Sequence, residues 1–89
     1  MVKVHFSSHF NRYLNCEPLT VEAANLLTAL DLTFAQYPKL ESYVLDDQRR
    51  LRKHVNIFVD GEMWSARNQL DQPISNQAEV YLMQALSGG

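Results

Sequence analysis

Apolar and polar positions alternate from the first residues: Val2, Val4 and Phe6 fall on one side, Lys3 and His5 on the other. A period of two with β-branched side chains predicts a half-buried strand over 2–6. The polar stretch 7–15 carries no decisive period, and its continuation as strand or as loop stays open. Residues 17–21 combine Pro18 with the β-branched pair Thr20-Val21, which predicts a short second strand at a sheet edge. Thr20 is a plausible helix N-cap, and Glu22 in the first turn suits the positive end of the helix dipole. From there Ala23, Leu27, Leu30, Phe34 and Tyr37 recur at spacings of four, three, four and three, one amphipathic stripe that stops at Pro38.

Leu40, Tyr43, Val44 and Leu45 predict a second, short helical turn before the polar segment 46–50. Val55–Val59 is the strongest strand signal, and Asp60-Gly61 directly after it is a hairpin turn. Residues 63–66 are then the return strand, and 79–86 the final one, with Val80 and Leu82 on one face and Tyr81 and Met83 on the other. The order strand, strand, long helix, short helix, strand, hairpin, strand predicts an α+β layer arrangement. It is the order of the β-grasp (ubiquitin-like) fold: a mixed sheet of about four or five strands with one long helix across one face. We expect residues 1–86 to form this domain and 87–89 to be a mobile C-terminal tail.

Composition narrows the function classes. Eighty-nine residues make one small domain, and a globular balance of 46% hydrophobic and 20% charged residues excludes a disordered chain. The net charge of −2 offers no global basic field for nucleic acid. A single cysteine excludes an internal disulfide and a cysteine metal cage. No signal peptide is visible, and no apolar run approaches the roughly 20 residues of a membrane span, so a cytoplasmic protein is expected. The phosphate-cradling glycine loop, the His-Glu-x-x-His pattern and the nucleophile elbow are all missing, so no self-sufficient enzyme is written here.

Only three glycines occur, and two of them close the sequence as Gly88-Gly89. Read together with Val55–Val59, Asp60-Gly61-Glu62, Leu70 and the run 79–89, this ending resembles the sulfur-carrier family of the molybdopterin-synthase small subunit and the thiamine-pathway sulfur carrier (MoaD/ThiS). Two features depart from that pattern: Asn76-Gln77-Ala78 stands where the family has Asp-Gly-Asp, and Gln84 where it commonly has proline. The stretch 51–59 leans toward the longer members, which include carriers feeding cysteine or siderophore synthesis.

The resemblance implies a non-catalytic carrier whose working group is the Gly89 carboxylate. An activating partner of the ubiquitin-activating type would use ATP to adenylate it, and a sulfur nucleophile would convert it to a thiocarboxylate. A sulfur-accepting synthase would then consume the sulfur, in molybdopterin, thiamine, cysteine, tRNA-thiolation or secondary-metabolite synthesis. Where the polypeptide is made longer, a protease would expose Gly-Gly. The chain itself would hold no cofactor and no metal. Glycine at 88 and 89 suits a thin terminus entering a narrow active site, because the missing Cβ permits close approach.

On the predicted sheet His5, Phe58, Tyr81 and Met83 turn away from the helix, and with Leu86 they form a candidate partner-binding surface. The competing reading packs them under 63–68 or at a homodimer contact. Arg49, Arg50, Arg52 and Lys53 form a basic run that reads as a solvated loop, with partner docking as a secondary role. His5 and His9 fall too few for a metal site, and Cys16 reads as structural. Two alternatives to sulfur carriage stay open. One is a ubiquitin-like modifier joined through Gly89 to lysines; the other is a β-grasp interaction domain whose glycines do nothing.

Overall fold

A computed structural model describes residues 1–84. The chain runs β1 (Val2–Phe6), α1 (Ser8–Leu14), β2 (Leu19–Val21), α2 (Leu26–Gln36), α3 (Pro38–Val44), β3 (Val55–Val59), β4 (Glu62–Met63) and β5 (Glu79–Gln84). The strands form one mixed sheet in the order β2-β1-β5-β3-β4. β1 and β5 lie parallel at its centre, while β2 on β1 and β3 on β5 are antiparallel. This is the β-grasp arrangement. The last predicted strand is seen as far as Gln84; its continuation over Ala85 and Leu86, and the 87–89 tail, lie outside the described residues.

Alternation places Val2, Val4, Val55, Ile57, Val80 and Leu82 on one sheet face, all fully buried. α2 covers that face with Leu26, Ala29, Leu30, Thr33 and Phe34. Thr33 is the polar exception, and its hydroxyl donates to the Ala29 carbonyl at 2.8 Å, which removes the penalty of burying it. Phe10, Leu40, Val44, Leu51 and Leu70 close the same core from the connections.

Four expectations need correction. The undecided stretch after β1 is neither strand nor loop but helix α1, which buries Phe10 and half-buries Leu14 one turn on. Among the described residues the layer therefore holds three helices. Thr20 does not cap α2; it pairs with Lys3 in β2. The cap is Asn25, whose Oδ1 accepts from the Thr28 amide at 2.7 Å, so Ala23 precedes the helix instead of belonging to its stripe. Pro38 ends α2 as predicted and starts α3, because its ring disfavours helical backbone at Tyr37.

The return strand is shorter than 63–66. Asp60 and Gly61 both take positive φ (51° and 87°), as a two-residue hairpin turn with the sheet's twist requires. β4 pairs with only Phe58 and Val59. Beyond it the β3 edge is satisfied by substitutes for a strand. The Trp64 amide donates to the Ile57 carbonyl at 2.7 Å. The Arg67 guanidinium donates to the Val55 carbonyl at 2.7 Å, to the Asn56 Oδ1 at 3.3 Å and to the Arg52 carbonyl.

Candidate functional site

The sheet face opposite the helices carries the candidate surface. Register sets its geometry: His5 pairs with Tyr81, Tyr81 with Phe58, and Phe58 with Met63. Paired residues project to the same side, so these four side chains make one row across four strands. Met83 lies beside the row, paired with Asn56. Its large members are open to solvent, with Met63 56%, Tyr81 40% and Met83 39% exposed. Phe58 is half-buried.

The imidazole of His5 stacks on Tyr81 with ring centroids 4.3 Å apart and planes 14° from parallel. Its Nε2 lies 3.1 Å from Glu79 Oε1. Stacking and a carboxylate contact fix the two rings against each other before anything docks. A rigid aromatic patch with flexible methionines at its margin suits protein recognition, since little side-chain freedom remains to be lost.

Four of the predicted surface residues, His5, Phe58, Tyr81 and Met83, are thus brought together. Leu86, Gly88 and Gly89 lie outside the described residues. Sequence reasoning missed Met63. The signal was present: a two-residue turn at Asp60-Gly61 puts Met63 opposite Phe58. His9, by contrast, belongs to a different place from His5. It sits on α1 with its Nε2 2.6 Å from the Tyr43 hydroxyl.

β5 leads toward the end of the sequence from the middle of the sheet, between β1 and β3. Gln84 pairs with Val55 at the start of β3. The exposed row therefore crosses β5, the strand that precedes Gly88-Gly89 in the sequence. Cys16 takes no part: it is buried on the far layer, and burial pushes its thiol up from the ordinary value.

A model of the ThiS family matches residues 10–89. The chain belongs to the ThiS family. Solved structures with the same fold include SAMP1 from Haloferax volcanii, 23% identical over 99% of this chain and 98% of that one, with a TM-score of 0.77. A chain of the BexX/CysO complex of Amycolatopsis orientalis is 14% identical over the full length of both, with a TM-score of 0.83. CysO of Mycobacterium tuberculosis is 18% identical, covering 97% of this ThiS-family chain and all of that one, with a TM-score of 0.81. No curated protein matches it by sequence. No helix among the described residues is long and apolar enough to cross a membrane.

Proposed function

We propose that this ThiS-family chain is a sulfur carrier that works through the carboxylate of Gly89. The observation that carries the reading is the family match running to Gly88-Gly89, together with the aromatic and methionine row on the outer face of the sheet that includes β5. A carboxylate is a poor electrophile and needs activation. In the proposed cycle the Gly89 carboxylate attacks the α-phosphorus of ATP on an activating partner, pyrophosphate leaves, and an acyl adenylate forms. Sulfide then attacks the carbonyl carbon; where a partner's persulfide attacks instead, loss of AMP gives an acyl disulfide, and a second thiol attacks the partner's sulfur, forming a disulfide there and releasing the acyl-bound sulfur. Either way AMP departs, and a thiocarboxylate remains for a sulfur-accepting synthase.

In this reading the globule is a handle. His5, Phe58, Tyr81 and Met83, with Leu86 beyond them, are the surface the activating partner grips, and the chain supplies no catalytic group except its own terminus. ATP belongs to the partner. The coarse alternative is a small modifier, favoured by the shared fold with a protein described as small archaeal modifier protein 1. There the same activated Gly89 would be taken by a lysine amine.

Gly89→Val and deletion of Gly88-Gly89 test the proposal in a reconstituted ATP-dependent sulfuration. Both should abolish sulfur acquisition while leaving thermal unfolding unchanged, because the hydrophobic core of the described residues is built from positions between Val2 and Leu82. A Gly89→Val protein that still gains terminal sulfur overturns it. Lysine conjugates without thiocarboxylate would decide for the modifier.

A further inference from the structure

The basic run at 49–53 is only partly spent on the fold. Arg49 pairs with Asp31 and Glu41, and Arg50 with Asp46 at 3.1 Å. Arg52 and Arg67 bond only backbone carbonyls and the neutral Asn56 amide, and neither they nor Lys53 make an ion pair among the described residues. These cations meet in one place. An open cleft of about 730 Å³ beyond the edge of β3 is lined by Arg50, Arg52, Lys53, His54 and Arg67, with Asp46 its lone acid. His54 Nε2 in its wall is buried without a hydrogen-bond partner among the described residues.

The cleft lies at the functional end of the sheet. Lys53 and His54 lead directly into Val55, which pairs with Gln84, the last described residue of the neighbouring strand β5. The opposite ends of β3 and β5 carry Asp60 and Glu79, with Glu62 of β4 paired to Val59 and Lys3 beside Glu79. A chain of net charge −2 thus concentrates unpaired positive charge where it hands over its terminus.

We propose that this cleft docks an acidic segment of the protein that receives the Gly-Gly end, and so steers the terminus into that protein's active site. The inference rests on the carrier reading. A partner enclosing the terminus must cover this rim, and like charge there would oppose approach, whereas carboxylates speed it. The site is distinct in chemistry from the aromatic row: the row holds, and the cleft orients.

The first test titrates the isotope-labelled chain with a hexaglutamate peptide and, separately, a single-stranded RNA of equal charge. The peptide should shift amide signals at 50–54 and 65–68, and Lys53→Glu should remove those shifts; Lys53 is exposed and its side chain makes no hydrogen bond or ion pair among the described residues, so folding is not at risk. Shifts elsewhere, no shifts, or tighter binding of the RNA than of the peptide overturn the proposal. The second measures ATP–pyrophosphate exchange by the adenylating enzyme that takes the chain. Lys53→Glu should raise the KM for the carrier about tenfold, with kcat little changed and the salt dependence weakened. An unchanged KM overturns the proposal. Deleting Gly88-Gly89 abolishes exchange but leaves peptide binding intact, so failure of the cleft and failure of the carrier reading give different results.

Discussion

Tyr81→Ala should separate recognition from stability. Tyr81 is stacked on His5 and paired with Phe58, yet 40% of it stays open. Truncation forfeits the stacked pair, about 0.5–1.5 kcal/mol, and a fraction of ring burial worth about 1 kcal/mol. Unfolding free energy should therefore fall by about 2 kcal/mol, which a folded domain of typical stability survives. At a protein interface a central tyrosine commonly contributes about 2 kcal/mol or more, which weakens Kd about thirtyfold. Urea unfolding reads the first quantity, and calorimetric titration with the adenylating partner reads the second. Tyr81→Phe, which keeps the ring and the stack, should retain most of both. A Tyr81→Ala chain that stays folded and binds within about twofold of the parent refutes the assignment of this face.

Arg67→Met should destabilise by about 3 kcal/mol in urea unfolding, since it strips charge-assisted donors from two backbone carbonyls and Asn56. Arg67→Lys should recover only part, because an ammonium cannot fork between the Val55 and Arg52 carbonyls. Asn25→Ala removes the α2 cap and should lower the melting temperature by about 5 °C, for a loss near 1 kcal/mol. Burial raises the Cys16 thiol, so its contribution to stability is complete below the ordinary thiol range and is lost as pH rises through the raised folded value. Native Cys16 should accordingly resist a thiol reagent at neutral pH and react on unfolding; rapid native labelling would contradict its burial.

The strands that matter most were legible. β1, β3 and β5 each alternate with β-branched or aliphatic residues inward, and that alternation alone assigns His5, Phe58, Tyr81 and Met83 to one outer face. Short local signals failed where tertiary pairing competed with them. Thr20 and Glu22 imitate a helix start, but burying Val21 against β1 claims the segment for the sheet and moves the cap to Asn25. Among the described side chains of α1 Phe10 alone is fully buried, too little periodicity to read. Arg67 reaches Arg52 from fifteen positions away, so the cleft it shares with Lys53 has no local signature. The basic run itself was visible; what it leaves unpaired depends on the fold bringing Asp31 and Glu41 to Arg49.

The central claim concerns the terminal carboxyl group, and the intact mass of the protein isolated from its native cells examines it without a mutation. The account predicts a chain ending at Gly89, a fraction of which is heavier by the exchange of one oxygen for sulfur, with that increment confined to the last peptide. A polypeptide that continues uncut beyond Gly89, or one whose final peptide never carries sulfur under conditions of active sulfur transfer, contradicts it.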